Sequence, residues 1–148
     1  MLNVHASGGS RMMQAAREAV DSSANDPLLI AVTVLTSHSA EDLVEVGLPD
    51  DPGKQVGRLA ALAMNNGMDG LVCSAHEAKQ LRDSHSDSVL VTPGIRLHES
   101  DPDDQRRIMT PEQAMTAGAN YLVVGRPITK ALDPRGALEY INSTIGNK

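Results

Sequence analysis

Phenylalanine and tryptophan are absent from this chain of 148 residues, and Tyr121 and Tyr140 are its only large aromatics. Its core must therefore be built from aliphatic side chains, with the seven methionines filling the irregular gaps. Cysteine occurs once, at Cys73, which excludes an intrachain disulfide and fits a reducing compartment. In an apolar setting with no second thiol, Cys73 reads as a small buried hydrophobe. No uninterrupted apolar run reaches the roughly 18 residues of a membrane span, and no charged-then-apolar leader opens the chain. Cytoplasm is the expected location. Basic residues number only 13 against 19 acidic ones, and they are scattered rather than striped. The net charge of −6 thus argues against nucleic acid or an anionic membrane as partner and toward a small molecule.

What is present is 41% hydrophobic and 22% charged, a globular composition. The length suits a single domain, residues 1–148, able to bury roughly 70% of its unfolded surface. Short β-branched runs alternate with helix-period segments, the pattern of five βα units on a parallel sheet. Strands are expected at Leu2–Ala6, Leu28–Leu35, Gly70–Cys73, Val89–Val91 and Tyr121–Val124. The second run is almost continuously apolar, as a strand covered on both faces would be. Helices are expected at Ser10–Val20, with Met12, Met13, Ala16 and Val20 on one face, and at Ala40–Val46, Lys54–Asn66 and from Ser74 to about Ser84. Ser74 with Glu77 suggests a capping box. Thr110, Pro111 and Gln113 supply the cap, first-turn proline and N3 amide of a further helix ended by Gly118, and Asp133-Pro134 opens the last helix toward Ile145. The polar stretch from Leu97 to Met109 is too long for a plain connector and is a candidate lid.

The chemistry concentrates after the last two strands. Arg96 follows one strand by a few residues, and Gly125 and Arg126 follow the next directly. Glycines in both loops let backbone N–H groups approach an anion, and in a (β/α)8 barrel phosphate is often held by the final two βα loops. Two arginines can converge there on one phosphate. The overall negative charge does not prevent this. A pair about 4 Å apart is worth up to roughly 4 kcal/mol at an effective dielectric near 20, while exposed charges beyond about 8 Å are largely screened.

His5-Ala6-Ser7-Gly8-Gly9, Val32 through Ser37 (VTVLTS), Thr92 through Arg96 (TPGIR), Asp104 through Pro111 (DQRRIMTP) and Val124 through Ile128 (VGRPI) closely resemble orotidine 5′-phosphate decarboxylases of the bacterial type, in that order and over essentially the whole chain. The resemblance implies a cytoplasmic, homodimeric TIM (β/α)8 barrel that converts orotidine 5′-phosphate to UMP and CO2 in pyrimidine biosynthesis, with neither metal nor organic cofactor. Carried over by position, Arg96, Gln105, Gly125 and Arg126 would contact the substrate phosphate, Gln105 from the lid. Thr36 would bond the base, with Ser37 and His5 as weaker candidates; a strand-end histidine such as His5 is more often structural.

The same resemblance marks what is missing. In the family an alternating Lys-Asp-Lys-Asp array, carrying an Asp-x-Lys-x-x-Asp motif, protonates C6 as CO2 leaves. None of Lys54, Lys79, Lys130 and Lys148 stands in that motif. No catalytic residue is therefore assigned in this chain. The expected architecture is the family's strands four to eight, a partial barrel of five βα units, with Met1 reading as an internal methionine. Five strands cannot close an eight-stranded barrel, so exposed edges and an oligomeric, rearranged or poorly soluble product are expected of the chain alone. A catalytically inert phosphate- or nucleotide-binding fragment, or a sugar-phosphate aldolase or synthase of the same barrel superfamily, are the rival readings. Asp101, Asp103 and Asp104 lack the glycine and distal glutamate of a calcium loop and read as a solvated lid, so no metal is expected.

Overall fold

A computed structural model describes residues 1–97 and 109–146. Its framework is one five-stranded parallel sheet: β1 (Leu2–His5), β2 (Leu29–Val32), β3 (Gly70–Val72), β4 (Val89–Thr92) and β5 (Tyr121–Leu122). Strand order in space equals order in sequence, so β1 and β5 are the two edges. All five strands run the same way, and every C-terminal end lies along one rim.

β1, β2, β3 and β5 are shorter than the apolar runs suggested because the chain peels away at that rim, whereas β4 runs one residue further than expected, to Thr92. β2 is buried at all four positions, and its register ends at Val32 opposite Val72. Thr33 makes the last contact, donating to the Val72 carbonyl from both its N–H at 3.1 Å and its hydroxyl at 2.8 Å. β4 ends at Thr92 because Pro93 has no N–H to continue the ladder. Beyond the Thr92–Leu122 pair only Val123 still donates to Thr92, so the expected strand to Val124 stops at Leu122.

Between strands run α1 (Gly9–Asp21), α2 (Ala40–Glu45), α3 (Pro52–Met64), α4 (Ala75–Ser84) and α5 (Pro111–Thr116), and α6 (Arg126–Thr129) and α7 (Pro134–Ile145) follow β5. Their starts are written in side chains. Asp51 accepts from the Lys54 N–H at 2.9 Å with Pro52 opening the turn, which places the start of α3 two residues earlier than expected. Thr110 and Gln113 form the expected capping box, and Ser39 with Asp42 forms a second. Ser74 caps α4 by accepting from the His76 N–H, so its bond differs from the Glu77 pairing expected. Asp133 caps α7, accepting from Gly136.

The core is aliphatic, as the missing aromatics require. Leu29 and Ala31, Leu71 and Leu90 present alternate strand positions to Met13 and Val20 of α1, Val56, Leu59 and Ala63 of α3, and Leu81 of α4. Met12 and Ala16 pack against this cluster half-buried, and Cys73 lies within it, 1% exposed. A smaller cluster joins Ala75, Ile95, Ala114 and Ala119 beneath β5. Close approach of β3 to β4 depends on Gly70: a Cβ there would lie 2.1 Å from the Val89 carbonyl oxygen. At the opposite end from the rim, Arg82 on α4 ties three segments together. Its guanidinium donates to the carbonyls of Ser88 and Gly118, both at 2.9 Å, and to the Asn120 side chain at 2.7 Å, which itself accepts from the Leu90 N–H.

Candidate functional site

Parallel pairing puts the residues that follow each strand on one rim, and the two arginines follow neighbouring strands. Arg96 is 7% exposed, unusual for arginine, and one of its guanidinium nitrogens donates to the Ile95 carbonyl at 2.9 Å. The turn before it bends at Gly94, whose φ of +80° is open to glycine and strained for other residues. Ile95 pairs with Met109, and the Arg96 N–H donates to the Met109 carbonyl at 3.0 Å. The long connector between them thus leaves and returns at the base of the Arg96 loop. Gln105, Asp101, Asp103 and Asp104 fall in it, outside the described residues.

One strand over, Gly125 follows β5 and precedes α6, which begins at the half-buried Arg126. A Cβ on Gly125 would meet nothing within 4 Å, so this backbone faces open space. Its carbonyl accepts from Ile128 and Thr129 at 2.9 and 3.0 Å, fixing the loop as the first turn of α6. This short helix escaped the sequence reading. Pro127 in its first turn was the signal that could have found it.

Thr36 and Ser37 follow β2. The His38 N–H donates to the Leu35 carbonyl at 3.0 Å, closing a turn with Thr36 and Ser37 at its centre. Thr36 is 7% exposed and Ser37 half-buried. His5 ends β1, exposed at the sheet edge. The rim therefore brings Arg96 and Gly125-Arg126 next to each other, with the Thr36 turn two strands from β4 and His5 one further.

Lysines hold no comparable position among the described residues. Lys54 and Lys79 are helical, each with its side chain 79% exposed, and pair with Asp51 at 2.9 Å and Asp83 at 3.3 Å. Lys130 is exposed after α6. No group of three or more His, Cys, Asp or Glu side chains among the described residues is placed to hold a metal ion, and no described helix is long and apolar enough to cross a membrane.

Known proteins resemble this chain in sequence and fold. Residues 1–141 match the model of the orotidine 5′-phosphate decarboxylase / HUMPS family. Orotidine 5′-phosphate decarboxylases of Hahella chejuensis and Chromobacterium violaceum are 58% and 59% identical to the chain, over 95% and 98% of its length but only 61% and 59% of theirs. The chain thus spans about three fifths of these relatives. The crystal structure of the Lactobacillus acidophilus orotidine 5′-phosphate decarboxylase superposes with a TM-score of 0.79 at 39% identity, covering 99% of this chain and 62% of that one. The enzyme from Sulfolobus solfataricus, at 21% identity and a TM-score of 0.67, shares the fold over 60% of its length. With nearly its whole length matched by the family model and by these relatives, this chain belongs to the orotidine 5′-phosphate decarboxylase / HUMPS family.

Proposed function

We propose that this chain is the nucleotide-gripping part of an orotidine 5′-phosphate decarboxylase, corresponding to the fourth to eighth βα units of a (β/α)8 barrel folded as one domain. The observation that carries the reading is the pairing of Arg96 and Gly125-Arg126 on adjacent strand ends, within a chain matched by the family over residues 1–141. Arg96 and Arg126 take the phosphate of orotidine 5′-phosphate or UMP, with the Gly125 backbone approaching closely and Gln105 reaching over from the connector. Neighbouring strands lie about 4.8 Å apart, so the Thr36 turn stands roughly 10 Å from β4. That suits a base held across a ribose from the phosphate.

Decarboxylation at C6 of the pyrimidine builds negative charge on carbon, which calls for a cation fixed in a water-poor site; electrostatic preorganisation of this sort is usually the largest catalytic contribution. Lys54 and Lys79 are solvated and paired with carboxylates, so neither can serve. The chain alone is thus expected to bind UMP without turning over orotidine 5′-phosphate. In the full-length protein, a cytoplasmic homodimer on this reading, the remaining βα units supply the missing cation. The test is a spectrophotometric decarboxylation assay on the purified chain beside UMP titration calorimetry. Binding without turnover is the expected result, and the absence of UMP binding overturns the proposal.

A further inference from the structure

Asn66-Gly67 is the chain's single Asn-Gly pair, and it lies where the end of α3 meets α1. Gly67 closes α3 with a φ of +75°, a conformation open to glycine and strained for other residues. Its N–H donates to the Met64 carbonyl at 3.2 Å, while the Met68 N–H reaches back to the Ala63 carbonyl at 3.3 Å. The half-buried Asn66 amide is held by three hydrogen bonds. Its Nδ2 donates to the Leu62 carbonyl at 2.7 Å and to the Ser10 hydroxyl at 3.3 Å, and its Oδ1 accepts from the Gln14 side chain at 2.9 Å. Ser10 and Gln14 belong to α1, so this one side chain ties α1 to the end of α3.

An asparagine followed by glycine carries an intrinsic reaction, since no side chain on the next residue shields the backbone nitrogen. That nitrogen, losing its proton to hydroxide, attacks the asparagine Cγ. A C–N bond forms, the Cγ–Nδ2 bond breaks, and Nδ2 leaves as ammonia with a proton from water, closing a succinimide ring. Water then opens either ring carbonyl to give aspartate or isoaspartate. From the contacts around Asn66 we propose that it is a deamidation site gated by the α1–α3 junction, the folded chain withholding both reacting groups. The bond to Leu62 draws the amide back over the preceding turn, away from Gly67, and Met64 occupies the Gly67 N–H. Parting of α1 from the end of α3 removes the Ser10 and Gln14 bonds and frees the amide to turn toward Gly67. The product cannot remake the junction. A carboxylate oxygen in the place of Nδ2 would face the Leu62 carbonyl with no proton to share, and isoaspartate adds a methylene to the main chain at the glycine cap. A local opening that reacts is thus recorded irreversibly.

Peptide mapping by mass spectrometry follows the reaction in the chain at mildly alkaline pH, in buffer and in guanidinium chloride, beside the free peptide Met-Asn-Asn-Gly-Met of residues 64–68. The amide-to-acid mass gain should accumulate at Asn66 in denaturant as fast as in the peptide, and at least about tenfold more slowly in buffer, the scale of a modest local opening equilibrium. Equal rates in buffer and denaturant would overturn the gate, and a denatured product led by another asparagine would overturn the site. Replacing Ser10 and Gln14 together by alanine should raise the rate in buffer about fivefold, the worth of one neutral hydrogen bond, and leave the rate in denaturant unchanged. A rate in buffer equal to the parent's refutes the part given to α1. Asn66→Asp should melt at a lower temperature than the parent chain, and equal melting would show that the product does remake the junction. The comparison of buffer with denaturant uses the unaltered chain, so it holds whether or not a variant folds, and it is independent of the phosphate site.

Discussion

The Arg96 N–H donates to the Met109 carbonyl at 3.0 Å, beside the parallel pairing of Ile95 with Met109. One hydrogen bond thereby gathers both ends of the long polar connector at the foot of the arginine loop.

Arg126 provides the cleaner test of the phosphate grip, since Arg96 is buried and its removal would also disturb packing. Arg126→Ala should weaken UMP binding by about 1.5–3 kcal/mol, the scale of a hydrogen bond to a charged group. Titration calorimetry reads this directly. An unchanged dissociation constant would sink the assignment.

Gly70→Ala should destabilise the chain by about 2–4 kcal/mol, because the new Cβ meets the Val89 backbone oxygen, which cannot move without parting β3 from β4. Urea denaturation measures it. A variant as stable as the parent would show that the two strands do not approach so closely.

Among the described residues both sheet edges are open. β1 and β5 each have one neighbour, and Leu2, Tyr121 and Val123 are 53%, 51% and 52% exposed. Unpaired strand edges flanked by apolar side chains recruit further strands. Size-exclusion chromatography with light scattering should therefore find the chain by itself self-associated. A monodisperse monomer with a cooperative melt would contradict this.

Asp51 should govern part of the acid limb of stability. Its carboxyl titrates below its usual value because it accepts the Lys54 backbone N–H at the start of α3, with the Lys54 ammonium adding to the effect. A depressed carboxyl stabilises the fold above the unfolded value near 3.8 and loses that contribution as pH falls through the folded value. Asp51→Asn should thus lower the melting temperature at pH 7 and narrow the gap between variant and parent as pH drops toward 2. A gap independent of pH would refute the charge-based cap.

The sequence by itself determined the alternation of five strands with helices, because β-branched runs and helix-period faces are local patterns. It also determined the caps at Thr110 and Asp133, whose partners lie three residues away, and the aliphatic core, which follows from composition. The placement of Arg96 and Gly125-Arg126 was legible too: they sit at matching places after successive strands, and parallel pairing sets those places on one rim. Pro93 already marked the end of β4, but tertiary structure decided where β2 ends, since a ladder stops when its neighbour turns away, as happens at Val32 opposite Val72. It decided that Met109 returns to Arg96 across a dozen intervening residues. It also seated Asn66, at the end of α3, against Ser10 and Gln14 of α1. Such contacts join positions far apart in sequence, and no local periodicity encodes them.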